Sequence, residues 1–261
     1  MKWALCQIDI VPGDPEANRK RVAEYVHNVM QQDGPDVIVL PEMWTTAYTL
    51  PELKTIADMN SEPTKGFLID LAKTYHVNII GGSIATIKEE QVYNTALTIN
   101  REGNVLDEYD KIHLVPMLDE PDYLTGGGKL PRVVNLDGVN VATIICYDLR
   151  FPEITRQLAL NGADVLCVVA EWPDARSNHW QQLQIARAIE NQYYVLSANR
   201  VGQYNNIEFA GRSMAIDPLG DILLEGDASK ESILRATTNM SVVKQIRQQI
   251  PVFESRAPDV Y

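Results

Sequence analysis

The stretch VNVATIICYDLRFPE, residues 139–153, carries the pattern that recurs along the whole chain. Its first part, VNVATIIC at 139–146, is almost continuously apolar and rich in β-branched residues, which predicts a strand buried on both faces. Its second part leads into a helix predicted over about 152–162. A cysteine, Cys146, therefore stands at the junction of a buried strand and a helix.

On both sides of this stretch, short apolar runs alternate with segments whose apolar residues recur at helical spacing. Residues 15–32 form the clearest helix, because Asp14 can cap it and Val22 and Val26 fall on one face. The predicted strands are 2–10, 36–40, 77–88, 92–100, 104–114, 139–146, 164–172 and 193–201, with a hairpin of 209–220 and 221–227; the other predicted helices are 62–76, 177–192 and 240–249, and 115–128 is a loop. This alternation predicts an α/β protein with helices packed on sheet faces. We expect one domain over 1–261, with 250–261 as a C-terminal tail.

Composition and charge restrict the possible function classes. The chain has 261 residues, of which 45% are hydrophobic and 22% charged, as is ordinary for a globular protein. A formal net charge of −12 speaks against binding to nucleic acid, which needs a basic surface. We also expect no membrane span and no secretory signal, because long apolar runs are missing. Three irregularly spaced cysteines predict neither disulfides nor a zinc site, so the expected location is cytoplasmic.

Three chemically reactive side chains stand at the ends of predicted strands. Glu42 follows the strand 36–40, Lys111 lies in EYDKIHL near the end of another, and Cys146 closes the strand 139–146. In layered α/β proteins, reacting groups tend to lie just past the carboxyl ends of strands. Each of the three also has an ordinary interpretation, as a loop acid, a solvated lysine and an inert core thiol. No single one of them decides the function.

Taken together, the segments around these residues resemble the nitrilase superfamily of carbon–nitrogen hydrolases over roughly residues 2–225. The resemblance is carried by VIVLPEMW (37–44), YDKIHLVP (109–116), CYDLRFPE (146–153) and RAIENQ (187–192). It implies a four-layer αββα sandwich in which Glu42, Lys111 and Cys146 converge as a catalytic triad. It also implies that a second glutamate, Glu120, lies beside the triad and positions the substrate or the base; the ordinary interpretation of Glu120 is a loop acid exposed to solvent.

The chemistry of these residue types fits the triad that the resemblance implies. A free thiol has a pKa of about 8.5, so it needs a neighbouring base or cation to attack an amide at neutral pH. Glu42 is expected to take the thiol proton, to pass it to the departing nitrogen, and then to activate water against the thioester. Lys111 and the backbone N–H of Tyr147 are expected to stabilise the oxyanion.

The segment AEWPDARSNHW, residues 170–180, is expected to line the pocket, because it follows the strand after the nucleophile helix. It resembles the bacterial branch similar to omega-amidases, which hydrolyse the terminal amide of 2-oxo dicarboxylic acid monoamides such as 2-oxoglutaramate. An arginine can bind the carboxylate of such a substrate through two hydrogen bonds. We predict Arg176 for that role, with Arg212 as a weaker candidate, and Tyr147 and Trp172 as pocket walls. An N-carbamoyl amide, a deaminated glutathione-like amide and a nitrile stay open as substrates.

Two alternatives lie outside this reaction. A Cys–His hydrolase would use His113, which shares a strand face with Lys111 at a spacing of two. A catalytically silent binding protein would lack a triad residue, and none is missing here. The glycine-rich segments do not have phosphate-loop spacing, and we expect no metal, nucleotide or flavin cofactor.

The remaining motif residues are predicted to be structural. We expect Asp148, Arg150 and Glu153 to pair and hold the turn after Cys146. The predicted scaffold beneath the site consists of Arg187, Glu190 and Asn191, and the predicted core thiols are Cys6 and Cys167. Relatives of this fold usually form dimers, so the resemblance predicts a homodimer in which the tail, with Phe253, Val260 and Tyr261, packs on the partner.

Overall fold

Fifteen strands and seven α-helices make up the part of the chain that the computed structural model describes, residues 1–32 and 34–260. The strands are β1 (Lys2–Gln7), β2 (Val37–Val39), β3 (Asp58–Met59), β4 (Asn78–Lys88), β5 (Gln91–Ile99), β6 (Val105–Asp110), β7 (Val134–Leu136), β8 (Val139–Ile145), β9 (Val165–Ala170), β10 (Tyr194–Asn199), β11 (Gln203–Tyr204), β12 (Ile207–Glu208), β13 (Met214–Ile216), β14 (Ile222–Glu225) and β15 (Ser232–Thr237). The helices are α1 (Pro15–Gln31), α2 (Leu53–Ile56), α3 (Thr64–Tyr75), α4 (Glu120–Tyr123), α5 (Pro152–Leu160), α6 (Ser177–Asn191) and α7 (Met240–Gln249). None of the helices within these described ranges is long and apolar enough to cross a membrane.

Thirteen of the strands form two mixed sheets, and β11 and β12 pair with each other as a separate two-stranded sheet. One has the order β15–β1–β2–β4–β5–β6, with β3 paired to β4, and the other has the order β14–β13–β10–β9–β8–β7. In the first sheet β1, β2 and β4 are parallel, and two antiparallel pairings make β6 run in the same direction as β2. In the second sheet β8, β9 and β10 are parallel. The carboxyl ends of β2 and β6 therefore lie at the same edge of the first sheet.

The two sheets pack face to face and are covered by helices on their outer faces. Strands β1, β4 and β5 contact β10, β9 and β8 across the interface. Helices α1 and α3 cover the first sheet with an apolar stripe that includes Val22, Val26 and Leu68. Helices α5 and α6 pack on the second sheet through residues that include Ile154 and Ala188. The order of layers is helix, sheet, sheet, helix, which confirms the predicted αββα sandwich.

Several boundaries differ from those predicted. The strand predicted over 104–114 ends at Asp110, so Lys111 lies in the following loop, where its N–H donates to Asn94 O. The predicted loop 115–128 contains a 3₁₀ turn at Pro116–Leu118 and the short helix α4. Strands β3, β7, β11, β12 and β15 and helix α2 were not predicted. Strands β7 and β15 are edge strands of the two large sheets and are only partly buried, so they lack a clear apolar pattern.

Candidate active site

Cys146 directly follows strand β8, at the start of a sharp turn. Cys146 has φ of 44° and begins the 3₁₀ turn Cys146–Arg150. A non-glycine residue in this left-handed region is strained and needs support from its surroundings. Asp148 supplies support, because its Oδ2 accepts hydrogen bonds from the Ile145 N–H at 3.2 Å and from the Tyr109 hydroxyl at 2.7 Å. The thiol is thereby presented at the end of the strand, and Cys146 is only 4% exposed.

Glu42 lies in the loop that follows β2, and four donors hold its carboxylate. Its Oε1 accepts hydrogen bonds from the Tyr48 hydroxyl at 2.9 Å, Asn94 Nδ2 at 2.8 Å and Lys111 Nζ at 2.8 Å. Its Oε2 accepts one from the Glu171 N–H at 2.8 Å. The Glu42 side chain is completely buried, so its position is fixed by these bonds.

Lys111 and Glu120 complete a buried cluster with Glu42. The Lys111 Nζ lies 2.8 Å from Glu42 Oε1 and 2.8 Å from Glu120 Oε1. Glu120 begins α4, and its Oε2 accepts from the Val115 N–H at 2.7 Å. The Tyr48 hydroxyl lies 2.5 Å from Glu120 Oε1. Glu120 is fully buried, so its interpretation as a solvent-exposed loop acid is wrong.

The pKa shifts in this cluster have two opposing causes, burial and neighbouring charge. Burial alone would lower the pKa of Lys111, but Glu120 and Glu42 outweigh it and raise that pKa well above its ordinary value. Burial, and then the charge of Glu42, raise the pKa of the Cys146 thiol well above its ordinary value, while Lys111 opposes this. Burial also raises the pKa of Glu120, against the effect of Lys111. Lys111 is therefore a fixed cation, and Cys146 is held in its neutral thiol form.

Cys146 opens onto a pocket that all three predicted substrate-binding residues line. The wall includes Tyr147, Trp172 and Arg176, together with Val115, Met117, Leu118, Arg150 and Pro173. Trp172 is nearly buried, and its indole N–H donates to Arg176 O at 2.8 Å, which fixes both residues. Arg212 is not in this wall; it pairs with Glu225 on β14 at 3.2 Å.

The predicted pairing of Asp148, Arg150 and Glu153 is wrong. Asp148 bonds with Tyr109 and His113, and Glu153 is exposed to solvent. The Arg150 guanidinium lies over the Trp172 ring at 4.6 Å from its centroid. Arg150 Nε is buried without a hydrogen-bond partner. Arg150 therefore belongs to the pocket and was missed, because its motif position alone does not show which way the side chain turns.

The two guanidinium groups in the pocket wall act on each other. Burial lowers the pKa of Arg150, and the nearby charge of Arg176 lowers it further, while Tyr147 opposes both effects. Two cations close enough to repel each other favour an anionic ligand between or beside them. The pocket is thus suited to a substrate that carries a carboxylate.

His113 has a structural environment. Its Nδ1 lies 2.7 Å from Asp148 Oδ1, and its ring stacks on Phe151 with centroids 3.6 Å apart. Because these contacts hold the His113 ring against Asp148 and Phe151, they do not favour a Cys–His catalytic pair.

The predicted scaffold role of Arg187 is confirmed, because its Nε and Nη2 donate to Leu149 O at 3.1 and 2.9 Å and its Nη1 pairs with Glu190. Cys6 and Cys167 are buried in strands, as predicted.

Three more residues of the site were not predicted: Tyr48, Asn94 and Glu171. Tyr48 bridges the two carboxylates, Asn94 donates to Glu42 from β5, and Glu171 contributes a backbone N–H from the end of β9. Asn94 and Glu171 are 52 and 129 positions from Glu42 in the chain, so no local spacing indicates these contacts. Across residues 1–32 and 34–260, no group of three or more His, Cys, Asp or Glu side chains is placed to hold a metal ion.

Comparisons with known proteins agree with this arrangement. The family model described as carbon-nitrogen hydrolase matches residues 2–248. The chain is 42% identical over 262 residues to a protein called hydrolase in agr operon from Staphylococcus aureus, and 41% identical over 263 residues to the 2-oxoglutaramate amidase of Bacillus subtilis strain 168. Each of these alignments covers 100% of both chains.

The fold agrees with a solved structure as well. A CN-hydrolase superfamily protein from Xanthomonas campestris, solved with an arsenic adduct in its active site, superposes with a TM-score of 0.90. The two chains are 28% identical, and the match covers 98% of this chain and 97% of the other. The chain belongs to the carbon–nitrogen hydrolase family.

Proposed function

We propose that this protein is an omega-amidase that hydrolyses the terminal amide of a 2-oxo dicarboxylic acid monoamide, such as 2-oxoglutaramate, and releases ammonia. The observation that carries the proposal is a pocket whose wall contains Cys146 together with Arg150 and Arg176, while the charges of Glu42 and Lys111 act on the Cys146 thiol. The Bacillus subtilis relative named 2-oxoglutaramate amidase supports the choice of substrate.

In the first half-reaction, the thiol is acylated. The Cys146 sulfur attacks the amide carbon as its proton passes to Glu42, and the carbonyl π electrons move onto the oxygen. Lys111 and the Tyr147 N–H stabilise that oxyanion. When the intermediate collapses, the carbon–nitrogen bond breaks, the nitrogen takes the proton from Glu42, and ammonia leaves a thioester on Cys146.

In the second half-reaction, water replaces the thiol. Glu42 accepts a proton from water as the oxygen attacks the thioester carbon. Collapse of this intermediate breaks the carbon–sulfur bond, and the proton returns to the sulfur. The new carboxylic acid loses its remaining proton to solvent, so the product is a dicarboxylate, and the enzyme is restored with Cys146 as a thiol.

Lys111 acts through its charge. Its raised pKa keeps it protonated between two carboxylates, so it does not accept the thiol proton. Glu120, which shares Lys111 and Tyr48 with Glu42, holds both groups in position. The two carboxylates thus have different roles: Glu42 moves protons, and Glu120 positions the groups that face Glu42.

The distal carboxylate of the substrate binds to the arginines of the pocket wall. Arg176 is the principal candidate, and Arg150 adds a second set of donors next to it. A guanidinium gives two parallel hydrogen bonds to a carboxylate, which a lysine cannot reproduce. Tyr147 and Trp172 form the walls of the site along the chain of the substrate.

Product release from a panel of substrates tests the proposal: ammonia is measured for the primary amide, the carbamoyl compound and the nitrile, and the free amine for the deaminated glutathione-like amide. We expect turnover of 2-oxoglutaramate and much slower turnover of an N-carbamoyl amino acid, a deaminated glutathione-like amide and a simple nitrile. Arg176→Lys should raise KM by about tenfold or more while kcat changes less, since a charge-assisted contact contributes about 1.5–3 kcal/mol. No ammonia from 2-oxoglutaramate, together with turnover of another member of the panel, would reassign the substrate. The Cys146→Ser variant is the blank for the assay.

We further propose that the protein is a cytoplasmic homodimer. Its three cysteines are free thiols, which fits a reducing compartment. The homodimer is supported by an exposed apolar surface. Ile189 on the outer face of α6 is 50% exposed, and Leu219 in the adjoining turn before β14 is 55% exposed. Neighbouring apolar side chains of this kind are suited to packing against a second copy of the chain. In the C-terminal tail, Phe253 packs against Arg156 and Arg247 of the same chain, while Val260 is exposed. Tyr261 lies outside the described residues.

A further inference from the structure

A buried ion pair lies beside Glu42 and has no part in the reaction described above. Glu171 is fully buried, and its Oε2 accepts a hydrogen bond from Arg200 Nη1 at 3.0 Å. Arg200 is also fully buried, donates to Asp9 Oδ1 at 2.7 Å and lies 4.2 Å from the centre of the Phe209 ring. Buried ion pairs commonly contribute no more stability than apolar residues of the same volume. Stability alone therefore does not account for this pair.

The backbone of Glu171 holds one particular oxygen of Glu42. Oε1 of Glu42 already accepts three hydrogen bonds, whereas Oε2 accepts one, from the Glu171 N–H. A carboxylate has about two lone-pair sites on each oxygen. Oε2 is therefore the oxygen with capacity left for the Cys146 proton. The peptide of Glu171 orients the acceptor in the proton transfer.

This peptide is fixed by the residues on both sides. The Glu171 side chain is held by Arg200, and the next N–H, that of Trp172, donates to Asn199 Oδ1 at 2.7 Å. The Arg200 N–H in turn donates to Ala170 O at 3.1 Å, which joins the ends of β9 and β10. Oε1 of Glu171 is buried and has no hydrogen-bond partner, so this carboxylate is not fully satisfied by its ion pair.

We propose that Glu171 is a positioning residue for the general base: its peptide orients Glu42 Oε2, and its side-chain charge sets how strongly Glu42 attracts a proton. The charged groups that face it are Glu42 after β2, Lys111 after β6 and Arg200 after β10, with Tyr48 as the nearby titratable hydroxyl. Burial raises the pKa of Glu171 to about 8; Arg200 opposes this shift, and Glu42 adds to it.

The sign of the effect follows from these charges. Because the pKa of Glu171 is about 8, its negative charge, and with it the ion pair with Arg200, is largely absent well below that pH and develops as the pH rises through it. Above that pH its negative charge increases the affinity of Glu42 for a proton, which favours transfer from the thiol. A contribution of Glu171 to thiol reactivity should therefore develop as the pH rises through about 8.

The test measures alkylation of Cys146 by iodoacetamide, so it needs no amide substrate. In this reaction the sulfur bonds to the methylene carbon, iodide leaves, and the thiol proton passes to Glu42. The proposal depends on the proposed function only in that Glu42 accepts this proton. Rate constants are measured from about pH 6.5 to about pH 9 for the unaltered protein and for Glu171→Gln, with Cys146→Ser to subtract labelling of Cys6 and Cys167.

The expected result is a rate ratio that depends on pH. The unaltered protein and Glu171→Gln should react alike near about pH 6.5, and the unaltered protein should react about three- to tenfold faster near about pH 9, because only then does the charge of Glu171 favour transfer of the thiol proton. The matched control is Glu225→Gln, which removes a carboxylate from a surface pair with Arg212. The rate constants of this variant and of the unaltered protein should be equal at every pH.

A ratio that stays constant with pH, at one or at any other value, overturns the proposal, because a purely structural role would not follow the ionisation of Glu171. If Glu171→Gln does not fold, Glu171→Asp retains the charge and should show the same rise with pH at a lower overall rate. The expected alkylation pattern combined with no hydrolysis of any amide would reject the amidase proposal alone.

Discussion

Lys111 is enclosed by carboxylates on two sides, and this setting determines what its charge can do. Its Nζ is 2.8 Å from both Glu42 and Glu120 and has no exposed surface. Removing a cation from water costs free energy, so a buried lysine is expected where its positive charge stabilises a negative group. In the proposed reaction, the developing oxyanion of the amide is a third negative charge that Lys111 stabilises.

At the residue scale, we predict that Lys111→Met lowers kcat by at least about 100-fold, because loss of one oxyanion donor typically costs 10²–10³ in rate. His113→Asn should lower kcat by less than about tenfold, since His113 contacts Asp148 and Phe151. Steady-state ammonia release checks both values, and circular dichroism checks that both variants fold. A larger loss in the His113 variant would favour a Cys–His mechanism.

At the element scale, an irregularity in β4 supports the loop that carries Glu42. The pairing of β4 with β5 shifts register between Ile80 and Ser83, and Gly82 in this interval has φ of 62°. Ser83 then donates through its N–H to Pro41 O and through its Oγ accepts from the Met43 N–H. The irregular strand thus provides hydrogen bonds to both sides of Glu42.

We predict that Gly82→Ala destabilises the fold by more than about 2 kcal/mol and lowers kcat at the same time. A left-handed conformation costs a non-glycine residue about 1–2 kcal/mol, and a Cβ at this position would lie 2.0 Å from Pro41 O. Urea unfolding and ammonia release measure the two effects. Gly128→Ala is the control, because a Cβ there meets nothing within 4 Å. Equal stability of the two variants would contradict the role given to the irregular strand.

At the scale of the whole molecule, the exposed apolar surface on α6 and the turn before β14 leads to a prediction about assembly. The protein should sediment as a dimer at micromolar concentration, and the double variant Ile189→Glu, Leu219→Glu should sediment as a monomer, because buried charges at an interface are costly. Leu130→Glu replaces a similarly exposed residue in a groove beside β6 and should stay dimeric. A monomeric unaltered protein would refute the homodimer.

The sequence by itself determined the order of the long helices and strands and, through motifs that resemble a known family, the αββα fold and the candidate reactive side chains. Periodicity along the chain is a local property, so buried strands such as 139–146 and helices such as 15–32 were predicted with small boundary errors. The segments around Glu42, Lys111 and Cys146 predicted the family, since each is a short continuous motif.

Only the tertiary structure decided what surrounds those side chains. Lys111 lies between two glutamates that are 69 and 9 positions away in the chain, and Glu171 reaches Glu42 across 129 positions. The same holds for Arg150, whose side chain turns into the pocket and not toward Asp148. The physical reason is that burial, charge and hydrogen-bond geometry depend on which distant segments the packed sheets bring together. The spacing of residues within one short segment does not determine those contacts.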